Sequence, residues 1–137
     1  MPAFLVKTEP EDFSFDDLVQ KGRARWDGVK NPVALKHLRT IRTGDTVVVY
    51  HTGKQKSVVG VGRAASDAYP DPKLEDEQRA VFDLEPVRAL KTPVALATFR
   101  TDPELRDVAL VRQPRLSVMP LTPAQLDRLL ELGGVRR

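Results

Sequence analysis

The chain has 137 residues, no cysteine and a net charge of +3, with 41% apolar and 30% charged residues. This is the composition of one ordinary globular domain spanning residues 1–137, long enough to bury about two-thirds of its unfolded surface. It excludes disulfides and thiolate metal sites, and no apolar run approaches the roughly 20 residues of a membrane span. Met1-Pro2-Ala3-Phe4 has neither the basic nor the apolar region of a secretory signal, so the expectation is a cytoplasmic monomer without membrane contact.

Residues 3–7 read as an opening strand. Ser14 has the form of an N-cap for a short helix to about Lys21, with Asp17 at the third position completing a capping box and Gly22 as the stop. Trp26, the only tryptophan, precedes Asp27-Gly28, a pair that favours positive φ and a tight turn. Asn31-Pro32 then predicts a second helix start, with Asn as cap and Pro at the first helical position, running to about Thr40. Gly44-Asp45 turns into the β-branched strand 46–51, and 52–56 is a polar hairpin loop. Val58-Val59-Gly60-Val61-Gly62 is the return strand, whose glycines predict a bulge, a barrel bend or a close backbone approach. Tyr69-Pro70-Asp71-Pro72 punctuates a surface loop, and Arg79 to Leu90 is a further strand. One or two short helices are expected in 93–107, then a strand over 110–113 and 116–119 interrupted at Pro114. Thr122-Pro123-Ala124-Gln125 starts a terminal amphipathic helix through Leu126, Leu129 and Leu130, closed by Gly133. Short strands with glycine turns and small helices predict an α+β class, a small barrel with helices packed outside.

Charge is unevenly placed. Residues 21–56 carry Lys21, Arg23, Arg25, Lys30, Lys36, Arg39, Arg42, Lys54 and Lys56 against Asp27 and Asp45, a net +7. Residues 67–85 carry seven carboxylates against Lys73 and Arg79, a net −5. A basic segment beside the lone tryptophan suits a phosphate-backbone partner, with Arg23, Arg25, Lys30, Lys36 and Arg39 as its contacts. Solvated helix faces also carry such charge. Of two histidines, His37 falls on a solvent-facing helix position and His51, ending a strand, is the better site candidate. Two isolated histidines without cysteine do not make a catalytic zinc site. The serines form no nucleophile elbow, and there is no glycine-rich phosphate loop. On turn chemistry alone, Lys7-Thr8-Glu9-Pro10 is a surface turn.

Six ordered motifs together resemble the EVE domain, a family of the PUA-like superfamily. They are Lys7-Thr8-Glu9-Pro10, Trp26 to Asn31, Tyr50-His51-Thr52, Val58-Val59-Gly60, Tyr69-Pro70-Asp71-Pro72 and Arg112 to Pro120. The resemblance runs from about residue 3 to 134. It implies a PUA-like mixed barrel of about five to six strands, related to the YTH readers of methylated adenosine. It also implies binding of a modified or flipped base in DNA or RNA, with no cofactor, no metal and no catalytic residue. By resemblance, Lys7, Thr8 and Glu9 line one wall of the pocket and Trp26 is the aromatic wall. Gly28, Val29 and Asn31 offer backbone and amide contacts. Tyr50, His51 and Thr52 form the opposite rim, and Arg115, Leu116, Ser117 and Val118 close the floor. The chain departs from the family pattern at Phe4, where Trp is usual, at Pro32 and Val33, where an aromatic and Gln are common, and at Thr52 and Pro114, where Ser is common. The implied mechanism is base capture by stacking on Trp26. Two other readings stand beside it: a small-molecule or protein-interaction module reusing the pocket, and a hydrolase or nuclease using Glu9 or His51 as acid or base.

Overall fold

A computed structural model describes residues 2–136. The strands are β1 (Ala3–Thr8), β2 (Ala24–Trp26), β3 (Thr46–His51), β4 (Ser57–Ala64), β5 (Tyr69–Pro70), β6 (Ala80–Ala95) and β7 (Val118–Leu121). The helices are α1 (Phe15–Lys21), α2 (Pro32–Leu38), α3 (Leu96–Thr101), α4 (Ala109–Arg112) and α5 (Pro123–Leu132). Six strands form one sheet in the order β2-β6-β4-β3-β1-β7, and the two-residue β5 pairs with β6 off that path. The sheet curls into a half-barrel. Its only parallel pair among the described residues is β1 with β3, in register from Ala3 opposite Thr46 to Thr8 opposite His51. Both strands are central and covered on both faces, so they read as near-continuous apolar runs. No helix among the described residues is long and apolar enough to cross a membrane.

The capping signals form as their side chains dictate. Ser14 and Asp17 make the reciprocal capping box of α1, Asn31 caps α2, and Thr122 with Gln125 makes the box of α5. Helix α2 ends at Leu38, two residues before the expected Thr40. The β4 glycines mark both register shifts of its pairing with β6. At Gly60 the phenyl ring of Phe15 lies where a side chain would stand: an added Cβ would sit 2.4 Å from it. This close approach seats α1 against the sheet.

Three local expectations are corrected. The predicted strand 110–113 is helix α4, because residues 102–113 close a run of short turn bonds, Val108 N–H to the Leu105 carbonyl and Gln113 N–H to the Ala109 carbonyl among them. The short apolar run Val108 to Val111 fits either period, so the sequence did not discriminate. Strand β6 continues to Ala95, five residues past Leu90, since the bulges of β4 let the pair bend together. Strand β2, which delivers the tryptophan, was not foreseen, because three residues show no period. His37 is half-buried, since α2 turns that face partly toward its neighbours.

Candidate nucleic-acid interface

Trp26 ends β2, where it pairs with Phe82 of β6. It is 8% exposed. Phe13 packs edge-on to it, ring centroids 6.1 Å apart at 77°. The chain then turns at Gly28, whose φ of 79° needs glycine. Val29 is buried, and its carbonyl accepts from Arg79 Nε at 3.1 Å. Asn31 Oδ1 accepts from the backbone N–H groups of Val33 and Ala34, at 2.9 and 3.1 Å. The Asn31 amide is therefore held rigidly, with its NH₂ unpartnered among the described residues. The loop that carries the tryptophan is fixed at both ends.

Below that loop lies a cleft of about 500 Å³, within the usual range for ligand pockets of roughly 300–1,000 Å³. Lys7, Thr8, Phe13 and Trp26 line it, together with the charged side chains of Asp12, Lys21, Arg25 and Asp27. Lys7 lines this cleft and also the smaller depression beside Tyr50 and Pro114. Its Nζ donates to the Pro114 carbonyl at 2.7 Å and sits 5.9 Å from the Tyr50 ring centroid, a cation–π distance. Partial burial lowers its pKa below the ordinary lysine value. The Asp12 and Asp27 carboxylates have no hydrogen-bond or ion-pair partner among the described residues. Arg25 is set by a relay: its Nε donates to the Tyr69 hydroxyl at 3.1 Å, and that hydroxyl donates to Asp83 Oδ1 at 2.6 Å. Arg23 holds the other oxygen, Nη2 to Oδ2 at 2.8 Å. Burial disfavours the Asp83 charge, but these hydrogen bonds from Tyr69 and Arg23 outweigh it and hold the carboxyl below the usual range. The Tyr69-Pro70-Asp71-Pro72 motif thus supplies β5 and a hydroxyl that positions Arg25.

The residues expected in one pocket are distributed among several places. Lys7, Thr8 and Trp26 share the large cleft. Asn31, Arg115 and Leu116 line a second cleft of about 360 Å³ with Val33, Gln113 and Pro114. The Lys7–Pro114 hydrogen bond links the walls of the two. Tyr50 and Thr52 line a smaller depression of about 210 Å³, which Lys7 and Pro114 also reach.

Six predicted site residues line none of these clefts, for physical reasons. His51 is 6% exposed; its Nε2 accepts from the Phe15 N–H at 3.0 Å, and its Nδ1 meets Gln55 Oε1. It pins the start of α1 to the β3–β4 hairpin and forms no rim. Glu9 turns away from the large cleft to accept from the Thr52 hydroxyl at 3.0 Å, over Gly53. Val118 is wholly buried in β7 opposite Val6. Ser117 contributes its carbonyl to the Lys7 N–H at 3.0 Å, and its hydroxyl lines none of these clefts. Gly28 and Val29 shape the loop without lining a cleft, and the Val29 carbonyl is taken by Arg79.

The predicted phosphate contacts also divide. Arg23 is paired with Asp83, Arg25 with Tyr69, and Arg39 Nη1 donates to the Gln78 carbonyl at 2.7 Å. Lys30 and Lys36 are exposed, with no hydrogen bond or ion pair among the described residues. Sequence reasoning missed Asp12, Phe13, Lys21 and Asp27 as cleft residues. For Phe13 a signal existed: it stands just before the Ser14 cap, the position of a hydrophobic staple.

A half-barrel with a fixed aromatic beside a mixed-charge cleft is the arrangement of a small binding domain, and the EVE domain model matches residues 3–132. The chain belongs to the EVE domain family. It is 31% identical to mouse thymocyte nuclear protein 1, an alignment covering 94% of this chain and 72% of the relative. Among solved structures, a Rhodopseudomonas palustris protein determined by NMR superimposes with a TM-score of 0.92 at 37% identity, covering 98% of this chain and 94% of that one. The human THYN1 protein, crystallised in complex with DNA containing 5-methylcytosine, gives a TM-score of 0.89 at 26% identity over all of both chains.

Proposed function

We propose that this protein is a non-catalytic reader that captures a single modified base of DNA in the cleft beside Trp26. The observation that carries the reading is the cleft itself: the only tryptophan, the half-buried Lys7 and two unpartnered carboxylates line one volume. Its relative's complex with 5-methylcytosine DNA supports a cytosine-type ligand.

The chemistry fits that ligand. Taking a base out of its stack costs a few kcal/mol, and stacking on an aromatic side chain returns roughly 1–3 kcal/mol. Carboxylates accept from an exocyclic amine, so Asp12 and Asp27 suit the amino edge of cytosine. Lys7 suits a ring carbonyl. A buried methyl adds about 0.8 kcal/mol, roughly fourfold in affinity. Lys30 and Lys36 hold phosphates without reading sequence. No step requires proton transfer: both His51 nitrogens are engaged internally, and Glu9 is occupied by Thr52.

The test is a set of single-stranded oligonucleotides differing only at one position, carrying cytosine, 5-methylcytosine or thymine, with an RNA version of each. The expected order is 5-methylcytosine, then cytosine about fourfold weaker, then thymine weakest, because its O4 meets carboxylates. Equal affinity for all three bases would overturn the base-reading function.

A further inference from the structure

We propose that the second cleft holds the nucleotide adjacent to the captured base on the same strand, so that recognition spans two nucleotides. This rests on the base-reading function above. The cleft is about 360 Å³ and is lined by Asn31, Val33, Gln113, Pro114, Arg115 and Leu116.

Its surface has the composition of a nucleotide site. Val33 is 46% exposed and stands with Pro114 as the apolar side of this cleft, with the buried Leu116 beneath them. Around that face stand the Gln113 amide and the Arg115 guanidinium, neither with a side-chain hydrogen bond or ion pair among the described residues. The Asn31 amide is their third polar neighbour. Its oxygen is spent on the α2 cap, which leaves a donor-only NH₂ in a fixed position. An apolar face with one cation and two amides suits a heterocycle followed by one phosphate. A preformed donor also binds without paying to be ordered.

The placement selects the same strand. Lys7 lines the large cleft and donates to the carbonyl of Pro114, which lines the second. The loop from Asp27 to Asn31 likewise has its first residue on one cleft and its last on the other. A strand whose base sits against Trp26 must pass this shared wall, and its neighbour meets Asn31 and Arg115.

The experiment uses single-stranded oligonucleotides, which have no opposite strand to supply a second base. Each carries one 5-methylcytosine, with the nucleotide on its 5′ or its 3′ side intact or replaced by an abasic site. Affinities are measured for the parent, for Arg115→Ala and for the Gln113→Ala/Arg115→Ala double variant, with melting curves confirming that these exposed substitutions leave the fold intact. In the parent, one of the two abasic neighbours should weaken binding by about fivefold or more. In the double variant that penalty should shrink to less than half, since the residues and the nucleotide then no longer couple. Indifference of the parent to both abasic neighbours, or a full penalty in the double variant, overturns the second subsite while leaving base reading intact. Failure of the parent to prefer 5-methylcytosine over an abasic site at the central position would instead overturn base reading, and the subsite with it.

Discussion

Replacing His51 by Ala should destabilise the protein while sparing the affinity for a modified base. The imidazole is buried, and its Nε2 is the acceptor for the Phe15 N–H at 3.0 Å. Truncation leaves that N–H without a partner at a buried helix start, which costs about 1–3 kcal/mol. The emptied volume adds to this, for a total of about 2–4 kcal/mol. For a domain of this size each kcal/mol moves the midpoint by about 4 °C, so Tm should fall by about 8–16 °C. His51→Gln places an amide oxygen where it can accept from Phe15 and should recover part of the loss. The assay pairs thermal unfolding with titration by a 5-methylcytosine oligonucleotide, at a temperature where parent and variants are all folded. Affinity should stay within about twofold of the parent. A His51→Ala variant that melts within about 2 °C of the parent yet loses base binding would refute the reasoning and return His51 to the pocket.

Gly60→Ala drives a methyl into the Phe15 ring and should cost about 1–3 kcal/mol by denaturant unfolding; unchanged stability would contradict the close approach that seats α1. Lys30→Ala with Lys36→Ala should flatten the dependence of log affinity on log salt by about two units and weaken all sequences alike. Arg23→Ala removes the Asp83 carboxylate's ion-pair partner and leaves it only the Tyr69 hydroxyl, so its effect should fall on stability more than on that slope. Asp83 and Asp102 should govern acid unfolding. At Asp102, burial opposes the charge, but Arg128 and the Glu104 N–H outweigh it, so both carboxyls are held below their usual pKa. The unfolded chain therefore takes the protons first. Their contribution is intact above about pH 4 and is lost as pH falls further through the folded values, which Tm measured from pH 6 to pH 2 will follow. An Asp83→Asn variant with an unaltered acid profile would contradict the role of that pair.

What was legible in the sequence is what local chemistry determines. Ser14, Asn31 and Thr122 cap helices because their oxygens meet N–H groups two or three residues on, and Gly28 turns because it alone takes positive φ easily. The ordered motifs led to the family and hence to the curled sheet. The site was legible only in part. Lys7, Thr8 and Trp26 do meet, but Asn31, Arg115 and Leu116 stand across the Lys7–Pro114 contact in another cleft, a separation that no sequence spacing encodes. His51 read as a site residue because a histidine ending a strand has the same local signature whether it faces a ligand or accepts from a distant backbone N–H. Phe13 and Asp12 belong to the turn after β1 and Asp27 to the turn after β2, and they line one cleft only once the fold brings those two turns together.

The most direct test of the central claim uses the protein's only tryptophan as its own reporter. Trp26 fluorescence should be recorded while a single-stranded oligonucleotide carrying one 5-methylcytosine is added, with anisotropy of the labelled strand measured in parallel. If the base stacks at Trp26, emission should be quenched saturably along the same isotherm as the anisotropy, and an abasic site at that position should abolish the quenching. Binding seen by anisotropy with Trp26 emission unchanged, and with equal affinity for the abasic strand, would contradict base capture.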